Sequence, residues 1–264
     1  MVHVVAHRGA SDDAAEHTLA AYRRAVEVGA DALECDVRLT ADGALVCVHD
    51  RRIDRTSNGR GPVSTLELAQ LSELDFGSWR DEVPDSVDPD GRTVLTLERL
   101  LSFVADGSRS VEIAIETKHP TRYAGLVERR LVETLDRFGW AHPRLGQRVP
   151  VRVMSFSSLS LRRMRELAPS VPAVYLMERV PLRMRDGSLP GHVRIAGPSI
   201  DILRAHPAYV ERVQRAGGTV HVWTVDDPAD IDLCLRLGVD AIISNRPGDV
   251  LAQVRDFQQQ GRTG

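Results

Sequence analysis

The sequence has few cysteines and no long apolar run. Its three cysteines, Cys35, Cys47 and Cys234, include no close C-x-x-C pair, which fits neither a disulfide framework nor a cysteine zinc site. No segment is long and apolar enough to span a bilayer, and residues 1–5 lack the basic and apolar regions of a signal peptide. We therefore expect a cytoplasmic protein with reduced thiols and no stable membrane association.

The sequence also lacks an excess of charge of either sign. Its 264 residues include 34 Lys and Arg against 37 Asp and Glu, and the formal charge of -3 gives no general electrostatic reason to bind nucleic acid. A small anionic ligand would need a local basic pocket. The apolar fraction of 42% is sufficient for a large core. Nothing in the sequence indicates an oligomeric state.

Short β-branched runs alternate with stretches of helical periodicity, which predicts parallel strands joined by helical crossovers in an α/β layered or barrel fold. The predicted strands are 2–6, 32–37, 45–48, 111–115, 151–154, 173–176, 193–196, 220–225 and 241–243. The predicted helices are 19–28, 97–104, 123–138, 159–167, 209–216 and 231–237. Two stretches break this rhythm and are predicted as loops: an insertion at 51–92, with an acidic run at 81–90, and residues 181–190 in place of the sixth helix.

An Asp-Gly pair at positions 42–43 predicts a two-residue hairpin turn between two apolar-alternating runs. Such a turn pairs residue 41 with residue 44. In that register Asp36 lies directly across from His49, and Glu34 lies on the same face as Asp36. The hairpin would bring these three titratable side chains together by local geometry alone.

Carboxylates alternate with apolar residues in two predicted strands. Glu34 and Asp36 share one strand face, and Glu116 shares a face with Lys118. Stacked carboxylates inside a barrel repel one another unless a positive group lies between them. Ion pairs of Glu34 with Arg38 and of Glu116 with Lys118 are one explanation, and a divalent cation is the other. We favour the cation, and the all-oxygen donors suggest Mg²⁺ or Ca²⁺.

A His7-Arg8-Gly9 motif stands at the C-terminal end of the first predicted strand. In α/β barrels the active site forms from the loops at the C-terminal ends of the strands. A lone histidine at a strand end is more often structural than functional. We interpret His7 as functional because the inward carboxylates accompany it.

Six short motifs, taken in order and spacing, resemble the glycerophosphodiester phosphodiesterase family. They are His7-Arg8-Gly9, Glu16-His17-Thr18, Glu34-Cys35-Asp36-Val37, His49-Asp50, Glu116-Thr117-Lys118 and Val222-Trp223-Thr224-Val225. The resemblance covers essentially the whole chain. It implies a TIM (β/α)8 barrel as a single domain over residues 1–264, with the loop insertion after the third strand.

The resemblance also implies an activity, namely metal-dependent hydrolysis of glycerophosphodiesters to glycerol phosphate plus an alcohol. The implied residues are Glu34, Asp36 and Glu116 as ligands of a divalent cation, Mg²⁺ or Ca²⁺; His7 and His49 as the acid/base pair; Arg8 and Lys118 as phosphate partners; Trp223 as an apolar wall for the glycerol; and Glu16 as a positioning residue. An imidazole with an ordinary pKa near 6.5 can accept or donate a proton near neutral pH.

Two positions depart from the family pattern. His17 stands where the family usually has asparagine, and Asn245 stands where it usually has aspartate; we interpret both as tuning of the pocket. Phe156 is a weaker candidate for the pocket rim, and His119 has no partner that spacing identifies. Two alternative functions stay open: a lysophospholipase D-type or other phosphodiesterase on the same scaffold, and a non-catalytic barrel that binds a phosphorylated ligand.

Overall fold

The computed structural model describes residues 2–80, 89–121, 123–144, 146–147 and 149–263, so residues 81–88 of the predicted acidic loop lie outside the described residues. The strands are β1 His3–His7, β2 Ala32–Leu39, β3 Leu45–Cys47, β4 Glu112–Thr117, β5 Val151–Ser155, β6 Ala173–Met177, β7 Ile195–Pro198, β8 Thr219–Val222 and β9 Ala241–Ser244. The α-helices of the described residues are α1 Leu19–Val28, α2 Leu68–Ser72, α3 Leu97–Ala105, α4 Leu126–Arg137, α5 Ser158–Leu167, α6 Ile200–Ala205, α7 Tyr209–Arg215, α8 Pro228–Leu237 and α9 Pro247–Thr263.

Eight of these strands form a closed parallel barrel. They follow the order β1-β9-β8-β7-β6-β5-β4-β2, and a β1–β2 pairing closes the ring. Helices connect most of the strands, which confirms the predicted TIM-barrel fold. All nine predicted strands are present, with ends that differ from the prediction by at most three residues.

The remaining strand, β3, pairs antiparallel with the C-terminal part of β2. The register differs by one residue from the predicted one. Residues Val37, Arg38 and Leu39 face Cys47, Val46 and Leu45. The turn therefore holds three residues, because the Thr40 N–H donates to the Ala44 carbonyl oxygen at 2.9 Å. The prediction that His49 lies directly across from Asp36 is wrong, since the Val48 N–H donates to the Asp36 carbonyl oxygen and His49 lies one residue further on.

The insertion after β3 has a small core of its own. Its described residues include two 3₁₀ helices, Val63–Thr65 and Pro89–Gly91, and helix α2. Its buried residues pack with the end of the hairpin in one cluster: Val46, Val48, Ile53, Val63, Leu71, Phe76 and Val94. The second predicted loop is also confirmed, because only a 3₁₀ helix, Leu182–Met184, lies between β6 and β7.

Apolar side chains fill the inside of the barrel, among them Val5, Ala32, Ala114, Met154 and Val174. A larger cluster packs the helices against the outside of β2, β4 and β5. Because all eight barrel strands run in parallel, their C-terminal ends lie at one mouth of the barrel. Among the helices of the described residues, none has the length and apolar character that crossing a membrane requires.

Candidate active site

Three buried carboxylates meet at the C-terminal mouth of the barrel. Glu34, Asp36 and Glu116 each offer one oxygen, and these oxygens all lie within 4.8 Å of one another. The β2–β4 ladder produces this arrangement, because it sets Asp36 directly beside Glu116, while Glu34 lies two residues earlier on the same face. Glu34 and Asp36 are each 1% exposed. The carboxylate cluster predicted from the alternating pattern is therefore present.

Two cationic side chains are in contact with this cluster. Lys118 Nζ lies 3.0 Å from Asp36 Oδ1 and 2.8 Å from Glu116 Oε1, and Arg8 Nε lies 3.1 Å from Asp36 Oδ2. Glu34 accepts the backbone N–H of Arg8 at 3.0 Å. Of the two ion pairs that the sequence left open, Glu116 with Lys118 forms. Arg38 instead donates to the His49 carbonyl oxygen at 2.9 and 2.6 Å.

Burial and mutual repulsion govern the ionisation of the carboxylates. Burial, aided by the charge of Asp36, raises the pKa of Glu116 to about 8 and that of Glu34 well above its ordinary value. Burial also opposes ionisation of Asp36, but Lys118, His17 and Arg8 outweigh it and hold the pKa of this carboxyl well below its usual range. The buried Asp36 Oδ1 has the Lys118 ammonium as its neighbour at 3.0 Å. An oxygen-only cluster of three buried carboxylates that repel one another fits a hard divalent cation.

His7 lies at the end of β1, in a hydrogen-bond chain that reaches Asp226. Its Nδ1 lies 2.7 Å from Asn245 Oδ1, while the Asn245 amide nitrogen donates to Asp226 Oδ2 at 2.6 Å. Because the Asp226 carboxylate can only accept, the Asn245 oxygen must face His7, and Nδ1 of His7 carries the proton. Burial and the Arg8 charge lower the pKa of His7 to about 4. His7 is therefore neutral near pH 7, with its proton on Nδ1.

His49 reaches the site from the segment after β3. Its Nδ1 lies 2.8 Å from Asp50 Oδ1, and Arg55 Nε lies 2.6 Å from Asp50 Oδ2. Its side chain is 34% exposed, and burial of the remainder lowers its pKa against the opposing charge of Asp36. His7 and His49 line one cavity of about 300 Å³.

Glu16 joins the first motif to the inserted loop. Its Oε1 accepts from Arg8 at 3.1 Å and from Arg55 at 2.7 Å. Burial alone would raise the pKa of Glu16, but the hydrogen bonds from Arg55 and the charge of Arg8 outweigh it and lower this pKa to about 2. His17 beside it is buried, with Nε2 3.0 Å from Asp36 Oδ2 and Nδ1 2.9 Å from the Tyr22 hydroxyl. The departure at position 17 thus places an imidazole against a carboxylate of the cluster.

Aromatic side chains form one wall of the cavity. Trp223 and Phe156 meet edge to face, with ring centroids 5.3 Å apart, and Trp223 Nε1 donates to the Gly197 carbonyl oxygen at 2.7 Å. Both residues line the cavity, as does Glu178. A larger cavity of about 700 Å³ lies at the other mouth of the barrel, lined by His3, Arg152 and His221 among others. Within the described ranges, the three carboxylates at the C-terminal mouth are the only group with the spacing of a metal site.

Some residues of the site gave little or no signal in the sequence. Asp226 has no motif that marks it, and it contacts the site only because β8 and β9 are neighbours. Arg55 lies in the inserted loop, where no periodicity indicates a direction for the side chain. His119 lines the cavity and lies 3.2 Å from Glu128 Oε1. These contacts join residues that are distant in sequence or lie in irregular segments, and local patterns do not predict them.

The model of the glycerophosphoryl diester phosphodiesterase family matches residues 7–249 of this chain. The chain belongs to this family. It is therefore a phosphoric diester hydrolase, as the six motifs predict. The phosphodiesterase is 47% identical over 264 residues to a Mycobacterium tuberculosis protein named probable glycerophosphodiester phosphodiesterase 1, covering 98% of this chain and 95% of that one.

Other relatives of the phosphodiesterase agree. It is 35% identical over 250 residues to the glycerophosphodiester phosphodiesterase of Bacillus subtilis, covering 92% of this chain and 83% of that protein. Its backbone matches that of an Oleispira antarctica phosphodiesterase, solved in complex with the product sn-glycerol-3-phosphate, with a TM-score of 0.80. That match has 25% sequence identity and covers 96% of both chains.

Proposed function

We propose that this phosphodiesterase hydrolyses glycerophosphodiesters to glycerol phosphate and an alcohol, using a divalent cation and two histidines. The observation that carries the proposal is the buried cluster of Glu34, Asp36 and Glu116 in the cavity that His7 and His49 line. The Oleispira antarctica structure with sn-glycerol-3-phosphate supports glycerol phosphate as the product.

The carboxylate cluster would hold the cation, with Mg²⁺ and Ca²⁺ as the candidates for an all-oxygen site. When bound, the cation would neutralise phosphate oxygens and the charge that develops on them in the transition state. Lys118 and Arg8 lie at the edge of the same cluster, and both have N–H groups suited to phosphate oxygens. They bind and orient the diester between the two histidines.

His7 acts as the proton acceptor in this proposal. Its Nδ1–H donates to Asn245, so the free lone pair lies on Nε2. The low pKa of His7 keeps Nε2 unprotonated at neutral pH. Nε2 removes the proton from the attacking oxygen.

His49 acts as the proton donor to the departing alkoxide. Burial lowers the pKa of His49, and Asp50 against its Nδ1 opposes this by stabilising the protonated ring, in the way that a carboxylate supports a catalytic imidazole. Trp223 and Phe156 supply the apolar wall against which the carbon chain of the glycerol packs.

The first test is hydrolysis of glycerophosphoglycerol by EDTA-treated enzyme with Mg²⁺ or Ca²⁺ added back. We expect the cation to restore release of glycerol phosphate, and Glu116→Gln to lower kcat/KM by roughly a hundredfold or more. Glu112→Gln is the matched control, because Glu112 stands on the same strand but lines the cavity at the opposite mouth. Full activity in EDTA, or equal losses in the two variants, would contradict the proposal.

A substrate with a different leaving group distinguishes the roles of the two histidines. A p-nitrophenyl ester needs no general acid, because its phenolate is a stable anion. We expect this substrate to restore much of the activity lost in His49→Ala and little of that lost in His7→Ala. The opposite result would exchange the two roles, and rescue of neither variant would remove His49 as the acid.

A further inference from the structure

A second cavity, of about 290 Å³, opens beside the catalytic one. The two share Arg38 and Lys118 among their lining residues, so they meet at the place where the phosphate is expected. The other side chains of this cavity that can form hydrogen bonds are Arg51, Ser64, Thr121 and Tyr123. Among the described residues that line this cavity there is no Asp or Glu.

Arg38 and Arg51 bring two positive charges to this cavity that no carboxylate of the described residues contacts directly. In the part of the chain that the structure describes, Arg38 bonds the His49 carbonyl oxygen and no carboxylate, and the Arg51 side chain forms no ion pair. Other arginines near the site differ: Arg8 is paired with Glu16 and Asp36, and Arg55 with Glu16 and Asp50. The Lys118 ammonium is likewise held by two carboxylates. Two guanidinium groups that pair with no carboxylate of the described residues favour an anionic occupant.

The opposite flank of the catalytic cavity has a different chemistry. It carries the Trp223 and Phe156 rings together with the Glu178 carboxylate. An uncharged glycerol moiety suits this flank, whereas a second anion would meet Glu178. With the phosphate at Lys118 and the glycerol against the rings, the leaving alcohol extends toward Arg38 and Arg51.

We propose that the cavity lined by Arg38 and Arg51 binds the leaving alcohol and selects alcohols that carry a second phosphate group. This inference rests on the proposed glycerophosphodiesterase activity and names the class of alcohol that the enzyme prefers. A guanidinium fork binds phosphate through paired N–H donors. Arg38 is partly buried and, among the described residues, contacts no carboxylate directly, so a phosphate in the cavity would supply an ion-pair partner.

The test compares two substrates that differ only in that group. One is glycerophosphoglycerol, and the other is the same diester with a phosphate on the far hydroxyl of its leaving glycerol. We expect the native enzyme to favour the phosphorylated substrate in kcat/KM, and Arg51→Gln to reduce this preference by roughly fivefold. The preference should also decrease with added salt, because the cavity is open to solvent.

Arg52→Gln is the matched control. This substitution removes the same charge from the neighbouring position of the same loop. The Arg52 side chain pairs with Asp54 and does not line the cavity. We expect this variant to keep both the native preference and the native activity toward the unphosphorylated substrate. Thermal unfolding curves of both variants confirm that they are folded.

The outcomes separate this inference from the proposed function. If the native enzyme hydrolyses neither substrate with any cation, the proposed function fails. If it hydrolyses glycerophosphoglycerol but shows no preference for the phosphorylated form, the activity stands and the selective cavity is wrong. A preference that Arg51→Gln and Arg52→Gln reduce equally is a long-range charge effect and also contradicts the inference.

Discussion

At the scale of single residues, the hydrogen bond between Asn245 and His7 determines which imidazole nitrogen is available for catalysis. Asp226 accepts from both the backbone N–H and the side-chain amide of Asn245, at 2.8 and 2.6 Å. This fixes the amide, and the amide fixes the histidine ring. The sequence identifies position 245 as a departure from the family pattern, but it does not show that the residue contacts His7.

Replacement of this amide should therefore impair His7 without removing it. For Asn245→Leu we expect kcat to fall roughly 10- to 100-fold with a smaller change in KM, because the ring loses its fixed orientation and tautomer. Nitrogen-15 NMR of His7 should show a single Nδ1–H tautomer in the native enzyme and a mixture in the variant. Ser11→Ala, which removes a neighbouring hydroxyl within 2.8 Å of the same Asn245 oxygen, is the control. An unchanged tautomer in Asn245→Leu would refute this role for the amide.

At the scale of elements, the sequence predicts the carboxylate pair on β2 correctly and the adjacent hairpin register incorrectly. The alternation of side chains between the two faces of a strand follows from the strand alone, whereas the pairing register of a hairpin depends on its turn. Here the Thr40 hydroxyl accepts the Ala44 N–H at 2.8 Å and donates to Asp42 Oδ1, and these bonds favour the longer turn. An Asp-Gly pair is compatible with turns of either length. His49 still reaches the site, because the chain after β3 continues toward the mouth of the barrel.

Gly9 is the last residue of the first motif and packs against Ala21 of helix α1. Its position requires glycine for two reasons. Its φ is +87°, and a Cβ atom there would lie 2.7 Å from the Ala21 carbonyl carbon. Gly43 in the hairpin has nearly the same φ, +88°, but a Cβ atom would meet only the Arg130 side chain at 3.6 Å. A comparison of Gly9 with Gly43 therefore distinguishes the effect of backbone strain, which both share, from that of steric overlap, which only Gly9 has.

We expect Gly43→Ala to lower the free energy of unfolding by about 1–2 kcal/mol, the cost of a left-handed conformation. Gly9→Ala should cost roughly 1–3 kcal/mol more, because the α1 backbone must move. It should also reduce kcat, since Gly9 follows His7 and Arg8, whereas Gly43→Ala should not. Urea unfolding and steady-state kinetics measure both effects. Equal destabilisation by the two substitutions would show that overlap with Ala21 is unimportant.

At the scale of the whole molecule, the sequence predicts the barrel because each strand and helix carries its own periodic pattern. The predicted loop at 181–190 and the place of the insertion after β3 agree with the structure. The short helices α2 and α6 and the helix α9 after β9 were not predicted. The small core under the inserted loop was also missed, because its residues, such as Ile53 and Phe76, are brought together only by the tertiary structure.

The opposite mouth of the barrel should make the protein sensitive to acid. His221 is buried there, with Nδ1 3.4 Å from Arg152 Nη1, and burial together with the Arg152 charge lowers its pKa to about 3. A histidine whose pKa is lowered by folding binds its proton more readily in the unfolded chain. Its contribution is therefore fully present above pH 6.5, and stability is lost as the pH falls from 6.5 toward 3.

Between pH 7 and pH 4.5, we expect this group alone to lower the free energy of unfolding by roughly 2–3 kcal/mol. Other groups also titrate in this range, so the measured quantity is the difference between the native enzyme and His221→Gln in urea unfolding at each pH. The native enzyme should lose more stability than the variant on acidification, so the difference between them depends on pH. His206→Gln, the same change at an exposed histidine, is the control variant. A curve for His221→Gln that runs parallel to the native one would contradict the prediction, because the imidazole would then bind its proton equally well in the folded and unfolded chains.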